Sequence, residues 1–399
     1  MGTVTPTMND VIYLDNSATT EMCAEAKAAV VDAMERYGNP SSLHGVGVDA
    51  RRAVEKAREQ VGLALGLRPG SPAGQVLFTS GGTEANNTAI MGSVYAKSRR
   101  ISDRIVTTDC EHPSVARVMD RLEADGFQVI RIATRGGVLD MEQARDALSK
   151  PAQLVSMMLV NNETGALFDV ARVFTMAKAV CPQTVTHCDA VQGFLKVPFT
   201  PAALKADLVS VSSHKVHGPM GMGALYVSSE TVKTRSLVPY LNGGGQEKGF
   251  RSGTENVMGI CGFGAAVSTN RERMPEHTAY MEKLRSYTVE RMSDLGIRVN
   301  LPAGKIAPHI VNVTLPDIKS ETMLHHLWGR GICVSSGSAC SSHAKAPSSA
   351  LLAFGLSAAE ADCSLRISLC ATNTEAQIDT LCDGLRDGLN TLVRIHRKG

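Results

Sequence analysis

Aromatic side chains are scarce in this chain: Phe, Tyr and Trp make up 4% of 399 residues. That is too little ring surface for a platform on which single-stranded nucleic acid would stack. A charge excess is also missing, since 41 Lys and Arg stand against 39 Asp and Glu, with no basic block interleaved with aromatics. Direct binding of nucleic acid is therefore not expected. No apolar run approaches the length of a membrane span, so no membrane association is expected. The opening MGTVTPTMND has no apolar core of a secretory signal, and a cytoplasmic protein is the expectation. Ten cysteines are present, yet none forms a Cys-x-x-Cys pair. Three pairs are seven apart (181/188, 333/340, 363/370), unlike zinc-site spacing, and no metal is expected. They read as scattered thiols in a reducing compartment.

What is present is an ordinary globular composition, 43% hydrophobic and 20% charged, long enough for two or three domains. Short apolar or β-branched runs recur at VIYL (11–14), QVLFTS (75–80), RIVTTD (104–109), FQVIRIA (127–133), QLVSMMLV (153–160), TVTHCD (184–189) and ADLVSVSS (206–213). Helical stripes lie at 21–36 and 48–66, and further helices are expected near Thr83 and at 113–125. This alternation predicts an α/β fold with a mostly parallel sheet flanked by helices. Near 243 the texture changes to a glycine-rich loop, GGGQEKGFRSGT, followed by a long helix over 256–295. Strand candidates at 297–300, 308–314, 332–335 and 364–369 and a last helix near 374–394 suit a smaller α+β domain.

In open α/β sheets ligands bind beyond the carboxyl ends of the strands. After VLFTS stand Gly81, Gly82 and Thr83, which suit an anion cradle at a helix start or a plain turn with Thr83 as its cap. After RIVTTD stands His112. After SMMLV comes NNETG with Asn162, and after TVTH come Asp189 and Gln192. After LVSVS come Ser212, His214 and Lys215. Each residue alone has a structural reading. Together they supply an anion cradle, an imidazole, an amide, a carboxylate and a primary amine. Pyridoxal phosphate asks for that set: a lysine for the Schiff base, a carboxylate for the ring nitrogen and a seat for the phosphate.

The motifs YLDNSATT (13–20), FTSGGTEANN (78–87), EHPSV (111–115), NNETG (161–165), HCDAVQ (187–192), SSHKVHGP (212–219), RSGTEN (251–256) and SSGSACSS (335–342) resemble the cysteine desulfurases. These are class V aminotransferase-like enzymes of pyridoxal phosphate fold type I, and the resemblance covers nearly the whole chain. It implies an N-terminal arm (1–20) associated with the small domain, a large cofactor-binding domain (21–262) and a small C-terminal domain (263–399). It implies that Lys215 anchors the cofactor, that His112 stacks on its ring, and that Asp189 pairs the ring nitrogen. Gln192 and Asn162 would contact the ring and substrate region, and Gly82, Thr83, Ser212 and His214 the phosphate. Thr254 would complete the phosphate seat of a partner subunit, which implies a homodimer. Arg366 would clamp the carboxylate of the substrate, L-cysteine.

Cys340 would be the nucleophile. It would take the substrate sulfur as a persulfide, release L-alanine, and pass the sulfur to an acceptor protein such as an iron–sulfur scaffold. His343, three residues on, is a candidate for lowering the thiol pKa. The stretch from Cys340 to Leu351 has the length of the family's long-loop group. A selenocysteine lyase shares the fold and cofactor, but that loop length favours the desulfurase. Two departures stand out. Cys370 replaces the glycine that commonly follows Arg-x-Ser-Leu, and the chain stops at Gly399, whereas some members carry a longer scaffold-docking tail.

Overall fold

The computed structural model describes residues 11–96, 100–336 and 347–393. Seven strands form the main sheet: β1 Gly74–Thr79, β2 Arg104–Thr108, β3 Gln128–Ile132, β4 Leu154–Met158, β5 Val185–Asp189, β6 Leu208–Ser212 and β7 Gly223–Ser228. Their order is β1-β7-β6-β5-β4-β2-β3. Neighbours from β6 to β3 run parallel, while β7 is antiparallel to both β1 and β6. The reversal follows from the connection. Only Ser213–Met222 joins β6 to β7, with no α-helix, and a parallel crossover needs about a dozen residues or more.

The apolar strand runs are explained by burial on both faces. In β1, Val76 and Phe78 enter one core and Leu77 the other, and in β6 Val209 and Val211 part from Leu208 in the same way. Helices α1 Ala24–Glu35, α2 Gly45–Ala64, α3 Gly82–Ala96 and α4 Pro113–Ala124 include layers on both sides. Ala50, Val54, Ala57 and Val61 recur every three to four residues along the buried stripe of α2. Ala85, Ala89, Ile90, Val115 and Leu122 of α3 and α4 fill the opposite core.

A second sheet, β8 Arg298–Val299, β9 Ile310–Thr314 and β10 Ser364–Ser368, is antiparallel throughout. Its core joins Val311, Val313, Leu365 and Ile367 to Leu284, Met292, Ile378 and Leu381. The helix Val257–Asp294 spans 38 residues and starts with the Asn256 side chain accepting from Gly259 N at 3.1 Å. It packs on α1 and α2 near its start and on β9 near its end, and the expected boundary at 262/263 falls inside it. Ile12–Tyr13 pairs with Ile332–Cys333 across most of the chain length. No helix among the described residues is long and apolar enough to cross a membrane.

Candidate active site

The loop after β1 is seated tightly on the sheet. A Cβ on Gly223, which opens β7, would stand 2.6 Å from the Gly81 carbonyl carbon, so only glycine fits there. Gly82 then starts α3, where free N–H groups favour an anion. Glu84 accepts from Ser80 N at 2.9 Å and forms a two-pronged ion pair with Arg251 at 2.7 and 3.1 Å. That pair ties the 243–254 loop to the start of α3.

Beyond β2, His112 caps α4, with Pro113 at the first helical position where its missing N–H is harmless. Its Nδ1 lies 3.1 Å from Ser114 N and 2.8 Å from Ser114 Oγ. Burial holds the His112 imidazole below its ordinary range; Asp189 offsets part of this and Lys215 adds to it. Beyond β4, Asn161 builds the turn: its Oδ1 accepts from Glu163 N and Thr164 N at 3.0 and 2.9 Å. This leaves the Asn162 side chain facing the cavity.

Asp189 ends β5 and is buried. Its oxygens accept from Val191 N at 3.0 Å and Asn86 Nδ2 at 2.7 Å. Gln192 donates to Ser17 O at 2.9 Å, while its Oε1 receives His309 at 3.3 Å and Lys196 at 3.5 Å. Beyond β6, Lys215 Nζ donates to the carbonyls of Ser17 and Ala18 at 2.5 and 2.6 Å. His214 contacts Thr19 Oγ1 at 3.2 Å. Burial, with Lys215 and Lys196 nearby, pushes its imidazole down to about 4.

The small sheet closes the other side. Arg366, 1% exposed, stands on β10 opposite Asn312. It donates to Asn162 O at 3.0 Å and to Asp15 Oδ1 at 2.8 Å. Asn312 Nδ2 reaches Glu163 O at 3.2 Å, a second tie to the same turn.

One cavity of ≈ 160 Å³ gathers these groups. Lys215, His112, Asp189, Gln192, Asn162 and Arg366 line it, and Gly82, Thr83, Ser212 and His214 form its anion end. The residues fit pyridoxal phosphate on two observations. Ser212 Oγ and Arg366 Nε are buried and without a partner among the described residues, one beside Gly82 and Thr83 and one on the side of the small sheet. The donor set also matches the needs of the phosphate, ring nitrogen and imine. Among the described residues no group of His, Cys, Asp and Glu could hold a metal ion.

Thr254 is exposed and lines a separate recess with Ser80, Gly221 and Arg251, so the chain does not bring it to its own cavity. Cys340 and His343 lie outside the described residues.

Several site residues escaped the reading of motifs. Asn86 lines the cavity and bonds Asp189, and the available signal was its place four residues after Gly82, on the same helical face. Lys196 and His309, both buried against Gln192, carried no motif. Burial first and Lys215 next push the Lys196 ammonium down to about 7. Asp15 was quoted inside YLDNSATT without a role.

A family model, aminotransferase class-V, matches residues 12–381. A cysteine desulfurase of Trichormus azollae is 38% identical over 379 residues, covering 94% of this chain and 91% of that protein. A cysteine desulfurase IscS of Clostridium botulinum is 36% identical over 389 residues, covering 95% and 94%. Among solved structures, a NifS-like protein superposes with a TM-score of 0.86 at 35% identity, covering 96% of this chain and all of that one. A structure titled SspA in complex with cysteine superposes with a TM-score of 0.76 at 30% identity, covering 91% and 99%.

Proposed function

The chain belongs to the class V aminotransferase family as a pyridoxal-phosphate-dependent cysteine desulfurase, and from that premise we propose how its residues divide the work. The observation that carries the division is the single cavity in which five strand ends of the main sheet meet Arg366 of the small sheet.

Arg366 binds the carboxylate of L-cysteine with its unpaired Nε, while its two outer nitrogens stay on Asn162 and Asp15. Lys215 would hold the cofactor and would carry the proton taken from the substrate Cα on its amine. Asp189 would pair with the ring nitrogen, and His112 would lie against the ring face. Bound pyridoxal phosphate supplies an electron sink conjugated to the substrate Cα. Ser212, His214, Thr83 and the N–H groups at Gly82 would seat its phosphate.

Cys340 is the sulfur acceptor in this reading. Its thiolate attacks the substrate sulfur; an S–S bond forms and the substrate Cβ–S bond breaks. The released electron pair takes up a proton at carbon, so alanine leaves and a persulfide stays on Cys340. The atoms balance without an outside oxidant. An acceptor protein, such as an iron–sulfur scaffold, then takes the sulfur, and the chain works in the cytoplasm.

The unit is a homodimer in which Thr254 serves the partner's phosphate seat. In support, the anion end opens outward past Met220, 67% exposed, and no residue of the 243–254 loop lines that opening. Exposed apolar side chains stand at Met34, Tyr37, Leu43 and Met258. Mixing inactive Lys215→Ala protomers with Thr254→Ala protomers is expected to regenerate one intact site per mixed dimer and recover activity. Failure of every mixture, with mixed dimers present by native mass spectrometry, would sink the shared site.

The experiment for the reaction is sulfide release from L-cysteine under thiol reductant, wild type beside Cys340→Ala, both loaded with cofactor. Release by the wild type and near-loss in the variant is the expected result. Equal release by both removes Cys340 as acceptor and points to β-elimination on Lys215 alone.

A further inference from the structure

Two site residues come from different strand ends, yet a third element joins them. Asn86, on the first turns of α3, is 1% exposed and has two amide hydrogens. One goes to Asp189 Oδ2 at 2.7 Å, the other to Ser114 Oγ at 2.9 Å. The opposite amide orientation would set Asn86 Oδ1 against the carboxylate, so these two acceptors decide which way the group points. Having accepted from Asn86, the Ser114 hydroxyl is left to donate, and His112 Nδ1 lies 2.8 Å away. The Ser114 backbone N–H donates to the same nitrogen at 3.1 Å. A ring nitrogen that accepts two donors carries no proton, so the neutral imidazole holds its hydrogen on Nε2.

We propose that Asn86 and Ser114 are positioning residues that lock the orientation and tautomer of His112 to the Asp189 carboxylate through one unbroken hydrogen-bond chain. It rests on Asp189 and His112 facing the cofactor. Donation to the carboxylate fixes the Asn86 amide, the fixed amide occupies the Ser114 hydroxyl as acceptor, and that hydroxyl is left to donate to His112. The charged groups acting on His112 are Asp189 and Lys215, both already at the site. The donors on Nδ1 favour the neutral ring over the imidazolium. Weakening them must therefore raise the pH at which His112 gains its second proton.

The test uses cofactor-loaded Asn86→Ala, Ser114→Ala and the double variant beside the wild type. Two readouts are taken: the pH profile of kcat/KM, and the pH titration of the cofactor's visible absorbance without substrate. In both single variants the acid-side midpoint of kcat/KM is expected to move up by about one pH unit, the size of one lost hydrogen bond. The absorbance titration of Asn86→Ala is expected to shift too, because Asp189 loses its 2.7 Å donor. The double variant should move the midpoint no further than Asn86→Ala alone, since both act on one chain. Ser114→Thr, which keeps the hydroxyl, should return the midpoint to the wild-type value. Midpoints unmoved in both single variants, with only a lower Tm or weaker cofactor retention, would overturn the proposal and leave a packing role. Should Asn86→Ala fail to fold, Ser114→Ala and Ser114→Thr decide the matter alone. A wild type that takes up no cofactor and shows no visible band would instead strike at the cofactor assignment itself.

Discussion

Each of the two larger sheets carries a polar side chain in the middle of a buried strand, and the two behave in opposite ways. In β5 of the main sheet, His187 lies between Ser156 Oγ at 2.8 Å and Ser210 Oγ at 2.9 Å, hydroxyls of the strands on either side. Both ring nitrogens are satisfied, and burial pushes its imidazole down to about 3, so it stays neutral. In β10 of the small sheet, Arg366 pairs with Asp15 and leaves Nε without a partner among the described residues. A fully satisfied neutral group in a strand is cement. A charged group with one donor in reserve can still take up a ligand. The main sheet keeps its chemistry at strand ends, where loops can be shaped freely, whereas the small sheet lends one charge from its interior.

The largest expected effect comes from breaking that loan. Arg366→Gln removes the carboxylate clamp and strands Asp15, so kcat/KM for L-cysteine is expected to fall by about 100-fold or more, mostly through KM. Stability is expected to drop by about 3–5 kcal/mol, the usual effect of removing one partner of a buried ion pair. Steady-state kinetics and denaturant unfolding would check both, and a KM within twofold of wild type would remove Arg366 from the substrate.

A smaller effect sharpens the other half of the contrast. His187 has a folded pKa far below its ordinary value. Between about pH 6.5 and about 3 the unfolded chain therefore binds a proton the folded one refuses. Its share of stability is present above about pH 6.5 and is lost as pH falls through that window. Tm of the wild type is expected to fall across this range, and His187→Gln to fall less steeply by one proton's share. The other histidines that burial depresses, His112, His214, His217 and His309, contribute to the remaining slope. An identical slope in the variant would show that His187 is not held neutral.

The sequence made much of this contrast legible, and unequally. The strands of the main sheet announced themselves because both faces are buried, which turns them into unbroken apolar runs ended by glycine and amide turns. Lys215, Asp189 and His112 stood out because charge or imidazole directly after such a run demands partners. Arg366 did not, since an arginine inside LRISL gives no local reason for burial; only the family resemblance pointed to it. Asn86 was hidden because an amide in a helix interior reads as a neutral surface choice. Its partners, Ser114 and Asp189, lie 28 and 103 residues away. The reversed direction of β7 was readable in principle from the short stretch that precedes it.

The tie between Arg366 and Asp15 joins residues 351 positions apart, and Lys215 leans on Ser17, 198 positions earlier. During synthesis the two ends of this arrangement leave the ribosome at very different moments. At about 5–20 residues per second, roughly 8–30 s separate the appearance of Lys215 from that of Arg366. Until then the N-terminal arm has no arginine to hold Asp15, and the main sheet waits with its cavity open on one side. Closure of the cavity is thus an event of the finished chain, and a protein interrupted before β10 would carry Lys215 without the arginine that closes the other side.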